Sequence, residues 1–473
     1  MEGADTDAVR LGNRQLGTVD CVAQSLAVGP VFSAVLLGAL LFGLSGGDGP
    51  WAVVITFVGM LGIGWTVSEF AKRYAGSGTV YEFIAHSLGK RIAVFAAGAY
   101  YFAVFALSAV AIPIVGGILL KHFAAAHWGF DWPWWLWSFV VIAIIFLINT
   151  LGVQVSVKTQ LVVIVMSIIP LIILAIAVFA DGGPKADAAF DPNNVFPNGG
   201  IFKGLLFGIL LYVGFELSAA LGEETANPKH SIPRAVLATL GIVTVIYLVS
   251  QIMLNVGASN DTGPAFEGMA QVYVGTWLRI WVEIALILDV LAVGIGFCLA
   301  GARGLFTLSR DGLIPKWFGT TSAREQPQGG NIAVAVVGVI CILISLAKYG
   351  TDQVADGVPF PDVAFNAFLI CSTIGGFIIC IIYALLCIGA LKGQARRPVD
   401  LLAAVVGLGI AALGVAAQFI DGTAPVGDAK WGIWFSLIAL GLLAVWTVTA
   451  RQRAVDNVGR HTVHHGHEVP HPL

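Results

Sequence analysis

The residues of this 473-residue chain that could do chemistry sit inside apolar runs. In Phe202–Leu221, Gly214 stands near mid-span beside Tyr212, Val213 and Phe215, and Glu216 follows where hydrocarbon would be deepest. Glycine inside a helix costs roughly 1 kcal/mol against alanine, and ionisable groups at such depth mark substrate or ion pathways. A gap in a membrane helix is tolerated only where protein or a water-lined cavity meets the freed backbone groups. A second gap is expected at Ser25-Leu26-Ala27-Val28-Gly29-Pro30, because proline removes a donor and clashes with the preceding turn. Alone it reads as a proline kink. Paired with the first gap it reads as half of a substrate site, since interrupted segments in corresponding positions of two halves point to a midplane binding site.

The chemistry suits a zwitterion. A half-helix start offers unpaired N–H groups and a positive dipole end, and a half-helix finish offers carbonyls. The carboxylate is assigned to amides near Ala27, Val28 and Gly29, with the Ser25 hydroxyl nearby, and the ammonium to carbonyls near Tyr212 and Val213. Pro30 has no N–H and more naturally starts the outer half-helix. Phe215 or Tyr212 would close over the substrate, and Tyr100 or Tyr101 would line the pocket; the alternative for these aromatics is plain packing. Glu216 either bonds freed amides of spans 1 or 7 or titrates during transport. Asp289 lies about 20 Å along its helix from Thr276. It is a proton carrier, a sodium ligand together with Ser167 and span 1 carbonyls, or a partner for a donor on a neighbouring span. At the charged end, Glu223 and Glu224 would pair with Arg303 and Arg310, near Asp311, and lock one side; otherwise those arginines only set topology.

The elements that must position these groups are membrane helices. The chain is 58% hydrophobic and 11% charged, with mean hydropathy +0.87. A spanning helix needs about 20 apolar residues, and the sequence divides into about 12. They run Thr18–Leu44, Trp51–Phe70, Ile92–Leu120, Trp134–Thr150, Leu161–Ala180, Phe202–Leu221, Ala235–Gly257, Thr276–Phe306, Ile332–Ala347, Ala364–Leu391, Leu401–Phe419 and Trp431–Thr449. With both termini inside, about three quarters of the 25 Lys and Arg residues fall on the cytoplasmic side, as the positive-inside rule requires. Trp128, Trp132, Trp134, Trp135 and Trp137 read as headgroup anchors at the outer start of span 4, as do Trp277 and Trp281 at span 8. Arg279 and Glu283 read as an interfacial i,i+4 pair. The six cysteines lie in or beside apolar segments without a CxxC, and read as small packing residues. No apolar h-region occupies the first seventeen residues, so no cleavable signal peptide is expected. No basic tract suggests nucleic acid. The tail histidines His461, His464, His465, His467 and His471 read as a flexible tail rather than a metal site.

Three stretches resemble the amino acid–polyamine–organocation permeases. Gly76-Ser77-Gly78-Thr79-Val80-Tyr81 with Leu88-Gly89 is similar to that family's loop between spans 2 and 3. Gly214-Phe215-Glu216, Glu223-Glu224-Thr225, Asn227-Pro228 and Ile232-Pro233-Arg234-Ala235 resemble its span 6 signature. Ala302-Arg303, Leu308-Ser309-Arg310-Asp311-Gly312 and Pro315 resemble the one after span 8. The resemblance implies an all-α, leucine-transporter-type fold with a 5+5 inverted repeat, broken helices 1 and 6, and two extra helices. It also implies secondary transport of amino acids or related amines without a prosthetic group. Two departures stand out: Val28-Gly29-Pro30 replaces a common glycine-serine-glycine, and Ser167 stands where some proton-coupled members carry a lysine, with Lys158 too near the cytoplasmic end to substitute.

The expected organisation is a cytoplasmic tail at 1–17, a first repeat at 18–180, an extracellular loop at 181–200, a second repeat at 201–391, two further helices at 399–450 and a His-rich cytoplasmic tail at 451–473. The expected function is a plasma-membrane amino acid permease working by alternating access, with H+ the first choice of coupling ion because two buried carboxylates offer titratable sites. The alternatives are cationic amino acids, polyamines or other small amines, Na+ coupling or exchange, and, in another class, a transport-dead sensor or a channel. No enzyme activity, cofactor or metal is expected; the partners are a small molecule, a coupling ion and lipid, and the oligomeric state is left open.

Overall fold

Backbone N–H and C=O groups have no water to bond in hydrocarbon, so spanning segments close their own hydrogen bonds as helices. In the computed structural model, which describes residues 11, 15–181, 200–258, 265–351, 363–420, 425, 427–460 and 463–464, the apolar runs are helical, with interruptions in the first and the sixth. Among the described residues nine helical stretches are long and apolar enough to cross a membrane, and Trp134–Thr150 is a shorter apolar helix. The run read as span 6 is not one of the nine, because its helix stops at Leu210.

Three segments carry the site. The first begins with α1 (Thr18–Ser25), passes through a 3-10 turn, Leu26–Val28, and resumes at Pro30 as α2 (residues 30–45), whose middle, Ser33–Leu37, is wound as a wider π turn. Next come α3 (Gly49–Ala71), β1 (Tyr74–Ala75), α4 (Val80–Ser87), α5 (Lys90–Trp128), α6 (Trp134–Thr150) and α7 (Val153–Ala180). The second interrupted segment is α8 (Gly200–Leu210), turns over 211–216, and a 3-10 helix, Leu217–Leu221. It leads to α9 (Pro228–Gly257), α10 (Phe266–Tyr273) and the third segment, α11 (Thr276–Arg310). The chain continues through α12 (Gln328–Tyr349), α13 (Phe365–Gly389), α14 (Pro398–Ala416), α15 (Lys430–Thr449) and α16 (Gln452–Asn457). The described part of the tail, β2 (Val463–His464), pairs antiparallel with β1. His461, His465, His467 and His471 lie outside the described residues, as does most of the 181–200 loop.

The core is built from small-residue contacts as well as large apolar side chains. Gly62 of α3 approaches α14 so closely that a Cβ there would fall 2.8 Å from the Gly407 amide nitrogen. The tryptophans at the start of α6 divide. Trp128 and Trp132 are exposed, as anchors should be, but Trp134 and Trp137 are buried, and the Trp134 indole donates to Gly350 O at 3.0 Å. Those two are packing residues, Trp134 against the end of α12 and Trp137 beside Trp132.

Gly29 is the hinge of the first break. Its φ is +71°, a region that favours glycine, and a Cβ there would overlap Val293 Cγ2 on α11. Gly29→Ala is therefore expected to destabilise the protein by about 1–3 kcal/mol. Thermal unfolding in detergent measures it, and Val293→Ala combined with Gly29→Ala should recover only the steric part, leaving the backbone part.

Candidate binding site between the two interrupted helices

The two breaks lie side by side. Gly214 has φ +114°, and a Cβ built on it would fall 3.0 Å from the Phe297 ring and 3.3 Å from Val28 Cα. Four residues further on, Ser218 accepts the Ser25 hydroxyl proton across the same seam at 2.7 Å. Beside the breaks is a cavity of about 30 Å³, lined by Val28, Phe32, Val213, Phe297, Phe368 and Ser372 among others. A single water needs about 10–15 Å³ of such space, so this volume is far below that of an amino acid, and the walls must part to admit one. Phe368 closes one flank by stacking on Phe365 at 5.0 Å and meeting Phe32 edge-on at 6.0 Å.

The structure brings Val28 and Val213 to the cavity and places Ala27 against Gly296 of α11. It turns three of the aromatic candidates elsewhere. The Tyr212 hydroxyl lies 3.1 Å from Thr244 Oγ1, and its ring packs on Tyr247 of α9. Phe215 packs towards Tyr383 and the Gly64 face of α3. Tyr101 donates to Gly78 O at 2.9 Å and so fastens the loop before α4. Residues 211–216 are turns rather than helix, so their side-chain directions do not follow a helical wheel. The aromatic rings at the cavity are Phe32, Phe297 and Phe368 instead. Phe297 was one turn and a half from Ala302-Arg303, and nothing in its spacing marked it.

The buried acids are held by identifiable donors. Glu216, read either as a partner for amides of spans 1 or 7 or as a titrating acid, accepts from Tyr100 at 3.2 Å, from Tyr383 at 2.8 Å and from the Gly214 amide of its own segment at 3.3 Å. Unwinding freed that amide close by, so the carboxylate needs no partner on α1 or α9. Asp289 meets donors on a neighbouring segment: its Oδ2 accepts from the Val31 and Phe32 amides at 2.9 and 2.7 Å. Ser167 bonds its own helix, donating to Val163 O at 2.8 Å. Tyr383, Gln24 and Gln160 were not singled out in the sequence. Gln24 donates to Gly296 O at 3.0 Å and accepts from Gln160 at 3.3 Å, tying α1 to α11 and α7. A glutamine inside each of two apolar helices was the available signal.

At the charged end two ion pairs close the seam. Arg303 meets Glu224 through Nε–Oε2 at 2.6 Å and Nη2–Oε1 at 2.8 Å, with both side chains almost fully buried. Arg310 meets Glu223 through Nη2–Oε1 at 2.6 Å and Nη1–Oε2 at 3.2 Å, and Ser77 donates to the same carboxylate at 2.9 Å. Bidentate guanidinium–carboxylate pairs are among the strongest protein hydrogen bonds. Burial raises the Glu223 carboxyl's pKa, but the Arg310 guanidinium outweighs it and holds it below the ordinary value. Asp311 goes the other way. Burial pushes it up to about 7, against the opposing pull of Arg310 and the Tyr81 hydroxyl, which donates to it at 3.1 Å. Elsewhere Arg279 and Glu283 pair at 2.9 Å, joined by His127, and all six cysteines are free.

With this geometry in view, the comparisons with known proteins are decisive. An amino acid permease family model matches residues 22–445. The chain belongs to the amino acid permease family. Its resemblance to amino acid–polyamine–organocation permeases is thereby borne out over most of its length. A branched-chain amino acid permease of Lactococcus lactis is 31% identical over 30% of this chain and 31% of its own. A branched-chain amino acid permease of Bacillus subtilis is 25% identical over 66% of this chain and 70% of its own. A methylthioribose transporter of Bacillus subtilis is 26% identical over 67% and 75%. The match thus spans under a third of the Lactococcus relative's length.

Two outcomes follow from the charged end. Glu224→Ala strands the buried Arg303 and is expected to cost about 3–5 kcal/mol; thermal unfolding in detergent reads it, and pairing the change with Arg303→Met should recover most of the loss. The raised Asp311 pKa means that the closed packing binds a proton more tightly than a state in which this carboxyl meets water. Its stabilisation is full in acid and is lost as pH rises through about 7. Labelling of a cysteine placed at Ser77 should therefore quicken across that window, and Asp311→Asn should flatten the dependence.

Proposed function

We propose that this protein is a secondary transporter that carries small neutral amino acids across the cell membrane by alternating access. The observation that carries the reading is the apposition of Gly214 with Val28, two interruptions beside one apolar cavity. Backbone of the first break, from Ala27 to Phe32, and around Tyr212–Gly214 would hold the charged ends of the substrate, and Val28, Val213 and Phe297 its aliphatic body. The branched-chain permeases among the relatives support this class of cargo. The reading takes the chain as about 12 spans in a leucine-transporter-type 5+5 repeat plus two helices, with both termini cytoplasmic. The pairs Glu223–Arg310 and Glu224–Arg303 then form the cytoplasmic gate, and substrate leaves inward when they part. H+ is the coupling ion of choice, with Glu216 and Asp289 as the intramembrane acids. Sodium, using Ser167 and Asp289, is the alternative.

Purified protein in proteoliposomes tests this. Leucine, isoleucine and valine are expected to accumulate under an inward proton gradient, well above the level without one, and a protonophore should abolish the excess. Lysine and arginine should not accumulate. No uptake of any amino acid in a panel would overturn the reading, and accumulation under a sodium gradient alone would move the coupling to sodium.

A further inference from the structure

The amides at the start of α2 are fully assigned. Gly29 N donates to Leu26 O at 3.0 Å, Pro30 has no N–H, and Ser33 N donates to Gly29 O at 2.7 Å. Val31 and Phe32 donate to a single oxygen, Asp289 Oδ2. These two are the donors that a half-helix start would offer to an anion. The protein supplies that anion itself, from α11. A second observation shows that Asp289 is more than a finished cap. Its other oxygen, Oδ1, is buried without a hydrogen-bond partner, and the side chain is 0% exposed. Buried polar atoms are almost always paired, and an orphan of this kind calls for a reason.

We propose that Asp289 is an internal stand-in for the substrate's carboxylate. Ionised Asp289 and an amino acid carboxylate compete for the Val31 and Phe32 amides, so substrate is held there only when Asp289 has taken up a proton. This rests on the amino acid binding between the two breaks as proposed above. In the exchange, a proton from water on the open side forms an O–H bond at an Asp289 carboxylate oxygen and cancels its charge. The amides pass to the incoming carboxylate, and release runs the same steps backward. An ionised acceptor bonds about twice as strongly as a neutral one, so protonation weakens the hold of Asp289 and strengthens the relative claim of the substrate. Two carboxylates on one pair of amides do not both stay ionised. Asp289 is held by backbone amides alone, and the titratable side chain facing it from α9 is Tyr247. On α2 the neighbouring polar group is the Ser33 hydroxyl, which donates to Val28 O at 3.0 Å. A proton is thus the countercharge at hand.

The test compares amino acids with their decarboxylated counterparts. Purified wild-type protein in weakly buffered detergent, with a pH indicator, is titrated with L-leucine or L-valine and with isoamylamine or isobutylamine. Above the titration point of Asp289, leucine and valine binding should take up one proton per molecule bound, and their apparent affinity should fall about tenfold per pH unit. The amines, which do not need the amides, should take up none. In Asp289→Asn, leucine binding should proceed without proton uptake and with an affinity independent of pH. Equal proton uptake for amino acid and amine in the wild type overturns the inference, as does undiminished uptake in Asp289→Asn. Leucine or valine binding with no proton uptake in the wild type overturns it while leaving the transport reading standing. Failure of the wild type to bind any amino acid overturns both. The wild-type comparison decides the matter even where Asp289→Asn does not fold.

Discussion

Everything at the centre of this molecule follows from one constraint: a helix broken inside hydrocarbon frees backbone donors and acceptors that have no water to turn to. An unpaired buried group costs about 1–3 kcal/mol, and two breaks free several. The fold meets the debt by putting the breaks together and bringing carboxylates to them. Asp289 reaches α2 from α11, and Glu216 turns back on the Gly214 amide while accepting from tyrosines of α5 and α13. The two acids are therefore placed by the breaks, and each is attached to helices outside its own segment. Under the proposal, a ligand that competes for the same amides, or a proton that changes what the acids accept, would act at this centre.

The charged end is built on the opposite logic. Two guanidinium–carboxylate pairs lie almost out of reach of water, where desolvation offsets much of their Coulomb attraction. Such pairs contribute little net stability over apolar packing, but they impose a single register, since separating them in a dry environment is costly. A seam that must be either shut or fully hydrated is suited to being held this way. Once water enters, each charge regains its hydration, so the open and shut arrangements differ less in free energy than the strength of either pair suggests.

Much of this was legible in the sequence, and the part that was not has a physical reason. Gly29-Pro30 and Gly214 announced the breaks because backbone chemistry is local: glycine tolerates left-handed φ and proline lacks a donor. Glu223-Glu224 and Arg303/Arg310 were legible as pairs because charges in an apolar chain are few and need partners. Side-chain direction at the second break was not legible. Tyr212 and Phe215 sit in turns, where no 3.6-residue period tells which way a ring points, and they pack on α9 and α13 rather than over the cavity. The partners of Glu216 come from helices more than a hundred residues away in sequence, Tyr100 and Tyr383, and only the packing of α5 and α13 brings them in. Trp134 and Trp137 carried the composition of a headgroup belt, yet both are buried, Trp134 against the end of α12. Composition reports depth in the bilayer, not which face of a helix a neighbour occupies.

The contacts across the breaks also fall into two chemical kinds. α1 is stitched to the segment after the second break by three neutral contacts: Ser25 with Ser218, Cys21 with Thr225, and Thr18 with Ser231. Backbone bonds from Gln15 and Leu16 to Glu224 O, and from Ala226 to Leu16 O, add a short parallel bridge. Across from this unit, the bonds to α11 include, beside the neutral Gln24–Gly296 contact, ionic ones: the paired charges at one end and the Asp289 carboxylate at the centre. Neutral hydroxyl and backbone bonds do not respond to a proton or an incoming carboxylate, whereas the ionic contacts do. The interface between the broken segments and α11 is thus the one whose strength chemistry can change. The stitched pair of half-helices is the body that the proposed alternating access would move against α11.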